Sequence, residues 1–286
     1  MTEQTIDLGP ALKKYRKQAG VTQQEIAEAA GISKNYVSAI ERGAHQPTAN
    51  ILITYARSCR FSLDEMVNLI PRSKVDRKNK QDGLDLLRSI GDGIASACFF
   101  DPEYHGLTDK LQYGNLGVGR EKARFELPQM DEDKITCFVI EIDRVLKKNG
   151  YLFLWLDKYH FCEGVQSWIA DTSLTVVDAI CWDKGQIGMG YRSRSRSEYL
   201  LILQKPPANT KTWIDHAIPD VWREKIPKSN RIHPHTKPIE LTKRLIGATT
   251  DEGDYVIDPA SGSFMVLEAC KNLNRQFIGC DIQFGD

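Results

Sequence analysis

Between residues 8 and 43 apolar side chains recur at helical spacing, and glycines cut the pattern into short blocks. Leu8, Leu12 and Tyr15 share one face of a first helix that Gly20 can end. Thr22, with Glu25 three residues on, makes a capping box that opens a second helix, Gln23 to Ala30. Gly31 forms the turn, Ser33 caps again, and a third helix runs from Lys34 to Arg42 before Gly43. Ala27, Ile32, Val37 and Ile40 are spaced to lock the second and third helices into a helix-turn-helix. The stretch ANILITYARSCRFSLDEMV supplies two more helices. IPRSKVDRKNKQ, residues 70–81, is polar, basic and without hydrophobic period. It reads as a linker between a small all-α domain, residues 1–69, and a large domain, residues 82–286.

In the large domain short apolar runs alternate with amphipathic blocks. ASACFF, YLFLWL, VVDAICW, EYLLILQK, YVID and QFIGCDI read as strands. ITCFVIEIDRVLKKNG reads as a helix with a glycine stop, and HTKPIELTKRLIGAT as another. Such alternation predicts an α/β fold, a largely parallel sheet with helices on both faces. Ligands bind such sheets outside the carboxyl ends of the strands. Two strand ends finish on Asp-Pro, CFFDPEY and YVIDPASGS, and the second continues into small residues suited to close backbone approach. A third carboxylate, Asp281, ends the last strand. Together they point to a nucleoside-containing cofactor.

Composition narrows the picture. The chain has 286 residues, of which 41% are hydrophobic and 27% charged, as in a soluble globular protein. No apolar run is long enough to span a bilayer, and the polar start MTEQTIDLG does not read as a signal peptide. The seven cysteines form no C-x-x-C pair and read as reduced thiols of a cytoplasmic protein. The six histidines show no metal-ligand spacing, so no metal is expected. The formal net charge is zero but uneven: residues 1–80 carry 13 Lys/Arg against 8 Asp/Glu, and residues 205–250 carry 9 against 4. Both regions are suited to an anionic partner.

Two resemblances organise these features. TQQEIAEAAGISKNYVSAIERG resembles the lambda-repressor-like helix-turn-helix family, over residues 8 to about 68. That likeness implies double-stranded DNA as a partner. Ser33, Lys34, Asn35, Tyr36 and Ser38 would enter the major groove, with Gln23 near the phosphates. The order DPEY, HPHTKP, DPASGS and FIGCDI resembles the amino-methyltransferases of DNA, in the permuted arrangement with the catalytic half first. It covers residues 80–286 and implies a Rossmann-like class I methyltransferase sheet using S-adenosylmethionine (SAM).

On that resemblance Asp101, the Pro102 carbonyl and Tyr104 are the catalytic set. Asp101 and Pro102 would accept hydrogen bonds from the exocyclic amine, and Tyr104 would stack on a flipped base. Asp258, Gly262 and Ser263 match the methionine-binding loop, Asp281 the ribose acid, and Thr236, Lys237 and Pro238 the motif closing over the methionine end. Asp82 matches an acid beside the adenine ring, but its position equally suits a helix N-cap. Arg192, Arg194 and Arg196, alternating with serines, would share one face of a strand toward phosphate. Residues 105–130 would form a loop over DNA, and residues 206–232 the target-reading segment. DPxY favours adenine N6; N4-cytosine transfer and a SAM-sensing regulator are the alternatives. Glu103 departs from the usual second proline and Phe264 from the usual glycine, where its ring is expected to narrow the cofactor pocket. The pattern does not decide between monomer and homodimer.

Overall fold

The computed structural model describes residues 8–60, 72–103, 129–188, 192–225 and 236–286. The N-terminal helices are α1 (Gly9–Gln18), α2 (Gln23–Ala30), α3 (Lys34–Glu41) and α4 (Ala49–Cys59). The helix expected after α4 lies outside the described residues. Both halves of the Thr22–Glu25 capping box form, and Gly31 ends α2 in the left-handed conformation. Leu12, Ile26, Val37, Ile40 and Tyr55 are fully buried between the helices. One polar network crosses this core. Arg16 Nε donates to Glu41 Oε1 at 2.5 Å and Arg16 Nη2 to Oε2 at 2.9 Å; Gln23 and Tyr55 donate to the same carboxylate. Gln23, half-buried, thus spends one of its two amide hydrogens on Glu41.

The large domain adds helices α5 (Gly83–Arg88), α6 (Glu132–Val145), α7 (Lys158–Glu163), α8 (Gln166–Ile169), α9 (Ile239–Thr249) and α10 (Met265–Asn272). Its strands are β1 (Asn79–Lys80), β2 (Ala95–Phe100), β3 (Leu146–Leu156), β4 (Thr175–Asp183), β5 (Ser197–Gln204), β6 (Val221–Arg223), β7 (Tyr255–Asp258) and β8 (Gln276–Asp281). They form one sheet in the order β1-β8-β7-β2-β3-β5-β4-β6. Only β5 runs against the rest, pairing antiparallel with β3 and β4. On β2, Cys98 and Phe100 pack against α5 and α6, while Ala97 and Phe99 pack toward α9 and α10. Both faces are covered, so the strand reads as an unbroken apolar run.

Two expectations about element limits are corrected. Residues 72–81 are not a free linker. Asn79 and Lys80 pair with Cys280 and Asp281, Asp76 N–H donates to the Phe277 carbonyl, and Asn79 Nδ2 donates to the Gly279 carbonyl. A two-residue edge strand held by backbone and amide bonds needs no apolar period. The helix before YLFLWL ends at Val145, not at Gly150, which lies inside β3.

The helical domain meets the large one through Lys14 Nζ, 3.1 Å from Asp92, whose carboxylate also accepts from Arg144 at 2.7 Å. Asp92 precedes the amino end of β2, so this contact is roughly 20 Å from the carboxyl end.

Glu41→Ala leaves the Arg16 guanidinium buried without its counter-charge. The variant is expected to lose about 3–5 kcal/mol of helical-domain stability. Its unfolding in urea, followed by far-ultraviolet circular dichroism, should begin at lower denaturant. An unchanged profile would show that the network contributes nothing net.

Candidate active site

The carboxyl ends of β2 and β7 lie side by side, and each delivers an aspartate into one cavity. Asp101 follows Phe100 and Asp258 ends β7. The cavity is also lined by Asp82, Glu103, Lys134, Trp155, Lys237, Gly262, Ser263 and Asp281. Of the expected residues the structure therefore gathers Asp82, Asp101, Lys237, Asp258, Gly262, Ser263 and Asp281 around one space. Thr236 is buried and Pro238 caps α9; neither lines it. That is a correction: Thr242, one turn into α9, lines the cavity where they were expected. Tyr104, the segments 104–128 and 226–235, and with them the start of HPHTKP, lie outside the described residues. Met130 N–H donates to the Glu103 carbonyl at 2.8 Å, pinning the two ends of the first segment together.

The DPASGS turn is held from several sides. Asp258 Oδ1 accepts from Ala260 N–H at 3.2 Å, and Ser261 Oγ donates to the Asp258 carbonyl at 2.7 Å. Gly262, at φ +48°, donates its N–H to Asp281 Oδ2 at 3.0 Å. Across the cavity, Gly83 lets α5 approach so closely that a Cβ there would stand 2.3 Å from the Pro259 carbonyl oxygen. Asp82 takes the capping role considered for it and also lines the cavity. Its Oδ1 caps α5 by accepting from Leu84 N–H at 2.8 Å, and its Oδ2 lies 3.4 Å from Lys134 Nζ at the cavity wall.

Lys237 is the centre of charge. Its Nζ is 2.9 Å from Asp101 Oδ2 and 2.9 Å from Glu198 Oε2, and 5.1 Å from the centre of the Trp155 ring. Burial works against the ammonium, but Asp101 and Glu198 outweigh it and hold its pKa above the ordinary lysine value. Glu198 also accepts from Lys184. Burial would raise its pKa, yet the two lysines bring it down to about 2. Asp258 behaves oppositely: burial, with repulsion from Asp101 and Asp281, outweighs the Ala260 N–H and lifts it to about 8.

Two further expectations fail. Phe264 does not narrow the cavity. Its backbone takes the left-handed conformation at φ +57°, as the usual glycine would, and its ring turns into the core, edge-on to Phe277 at 6.3 Å. The arginines of YRSRSRS lie before β5, not on a strand. Arg194 donates to the Gly188 carbonyl and Arg196 makes two bonds to Asp183, while Arg192 is exposed; the expected common face is absent. In α3, Ser33 Oγ caps the helix by accepting from Tyr36 N–H, Ser38 accepts from Arg42, and Tyr36 packs on His45. Ser33, Lys34 and Asn35 are exposed. Glu198 and Trp155 escaped sequence reasoning, although an acid opening an otherwise apolar strand was visible.

A doubly covered sheet with acids at adjacent strand ends and a glycine turn between them defines a nucleoside-cofactor enzyme of α/β class. Residues 97–284 match the DNA methylase family, and residues 12–66 the Helix-turn-helix family. The chain is 55% identical over 216 residues to Type II methyltransferase M.HhaII of Haemophilus parahaemolyticus, covering 75% of this chain and 94% of that protein. It is 43% identical over 158 residues to Type II methyltransferase M2.DpnII of Streptococcus pneumoniae, covering 49% and 58%. Among solved structures, the PvuII DNA methyltransferase (cytosine-N4-specific) shares the fold at a TM-score of 0.56 and 16% identity, over 72% of this chain and 81% of that one. The M1.HpyAVI–SAM complex does so at 0.50 and 18%, over 72% and 92%. The chain belongs to the DNA methylase family.

An unfolded aspartate titrates near ~3.9, whereas folded Asp258 titrates at about 8. Between these values the folded chain binds a proton that the unfolded chain does not, so stability falls as pH rises through that window. Asp258→Asn removes the effect and can still accept from Ala260. The melting temperature of the cofactor-free variant should exceed that of the wild type by a margin that grows from pH 5 to pH 8. A margin independent of pH in calorimetry would mean that Asp258 is ionised when folded.

Proposed function

We propose that this protein transfers a methyl group from SAM to the N6 amine of adenine within a specific site of double-stranded DNA. The observation that carries the reading is the shared cavity in which Asp101, from β2, faces the β7 turn that begins at Asp258. The donor set fits SAM. Asp82, Asp101, Glu103, Asp258 and Asp281 outnumber Lys134 and Lys237 along the wall, so the cavity suits a cationic ligand. The Gly262–Ser263 turn would take the methionine end, with Asp258 ionising opposite a positive amino group. Asp281 would receive ribose hydroxyls, and Asp82 would lie by the adenine ring. When bound, SAM supplies an activated methyl group to a nucleophile.

The chain's own task is to make an amine nucleophilic. The lone pair of an exocyclic amine is delocalised into its base. Asp101 and the Pro102 carbonyl accept the amine hydrogens, which turns the lone pair out of conjugation and toward the methyl group. The Lys237 ammonium, 2.9 Å from Oδ2, fixes one oxygen of Asp101 and orients the other toward an incoming amine. The carboxylate in the first position of DPEY supports adenine over cytosine.

Asp101→Ala is expected to lower methyl transfer by about 100-fold or more, with SAM affinity within about tenfold of wild type. Tritium transfer from labelled SAM to duplex DNA measures the first, and calorimetry the second. Chromatography of the digested product should yield N6-methyladenine. N4-methylcytosine would reverse the choice of base, and no transfer by the wild type would overturn the enzyme reading in favour of a SAM-sensing regulator.

We further propose that the helix-turn-helix binds a separate operator and limits the protein's own expression. Its contact with the large domain is at the amino end of β2, away from Asp101, and Lys34 and Asn35 of α3 stay exposed. Lys34→Ala with Asn35→Ala should abolish a footprint on DNA upstream of the coding sequence, with the methylated sequence and rate unchanged. Loss of target preference in that variant would instead assign the domain to substrate reading.

A further inference from the structure

Glu198 belongs to none of the motifs that led to the site, yet it is one of the two carboxylates against which the Lys237 ammonium rests. It opens β5, the reversed strand. Because β5 is antiparallel to β3, with Tyr199 opposite Leu156, its amino end reaches the sheet edge where the other strands end. There Glu198 Oε2 is 2.9 Å from Lys237 Nζ, its Oε1 accepts from Lys184, and Lys184 in turn lies 5.3 Å from the centre of the Trp182 ring. The charges alternate along the row Lys184, Glu198, Lys237, Asp101.

We infer that Glu198 is a positioning residue: by holding one side of the Lys237 ammonium it confines that lysine to a single oxygen of Asp101 and leaves the other to receive the target amine. The inference rests on the methyltransferase reading above. An ammonium has three donors. One goes to Asp101 Oδ2 and one to Glu198 Oε2, and the Trp155 ring lies against the same group. Without Glu198, the ammonium would be drawn wholly onto Asp101, its remaining carboxylate within contact. It could then bridge both Asp101 oxygens and compete with the amine for them. Orientation losses of this kind act on kcat more than on substrate binding.

The charge on Lys237 should also respond. Asp101 at the end of β2 and Glu198 on β5 face it directly, Trp155 on β3 covers it, and Lys184 after β4 reaches it only through Glu198. With one of the two carboxylates removed, burial is less opposed and the lysine loses its proton at lower pH.

Glu198→Gln keeps the size and the acceptor but not the charge. Glu198→Ala removes both, and Lys184→Met frees Glu198 from its second partner. In the full-length protein, kcat for duplex methylation should fall about 10- to 100-fold in Glu198→Ala, less in Glu198→Gln and least in Lys184→Met. SAM affinity and melting temperature should stay close to wild type. The alkaline limb of kcat should lie at lower pH in both Glu198 variants than in the wild type. If Glu198→Gln keeps kcat within about twofold and an unmoved alkaline limb, Glu198 does not position the lysine. If kcat, SAM affinity and melting temperature fall together in Glu198→Gln, Glu198 is structural, and the inference is again wrong. Inactivity of the wild type would instead overturn the underlying enzyme reading.

Discussion

A lysine ammonium cannot be buried beside a sheet edge unless carboxylates meet it there, and Lys237 sets that constraint for this fold. It brings together three stretches far apart in the chain: the end of β2, the start of β5 and the segment before α9. A purely parallel sheet would present only strand carboxyl ends at this edge. The reversal of β5 brings an amino end to the same place, and with it Glu198. The ion pairs need not add net stability, since desolvation can cancel the Coulomb gain of a buried pair. What they fix is geometry. Asp101 is held by a partner that is itself held, as the role proposed for it toward a substrate amine requires.

The opposite treatment of Asp258 follows from the same physics. It is buried too, but among the described residues no cation pairs with it; its close partners are the Ala260 N–H and the Ser261 hydroxyl, with Asp101 and Asp281 farther off. One strand end therefore carries a carboxylate met by the Lys237 ammonium, and its neighbour one that favours its proton. Adjacent acids with different environments can divide their work, as the proposed function asks of these two.

Much of this was legible in the sequence. The helical blocks of the small domain, six of the eight strands, and both Asp-Pro ends follow from period and turn chemistry. What escaped falls into three physical kinds. Edge strands β1 and β6 are two and three residues long and bind through their backbones, so they leave no periodic trace. Side-chain direction at a left-handed position is not encoded by residue type, and so Phe264 was expected in the pocket rather than in the core beneath it. Pairings between distant residues are set by topology: nothing in YRSRSRSEYLLILQK distinguishes Arg196, taken by Asp183, from Glu198, taken by Lys237.

The same reasoning bears on how the two domains cooperate. The bridge between Lys14 and Asp92 is about one-third exposed on both sides, 38% and 34%, and Asp92 is already paired with Arg144. An exposed pair of this kind adds little energy, so the large domain does not depend on it. Nor can the helical domain easily work as a clamp beside the flipped base. Residues 72–81 are bound along β8, which removes most of the reach that a free linker would give. A domain attached weakly, at the far end of the sheet and with its exposed third helix turned to solvent, can engage DNA without disturbing the Lys237 cluster. Binding by one domain would then leave the chemistry of the other intact, which is what the proposed self-regulation requires.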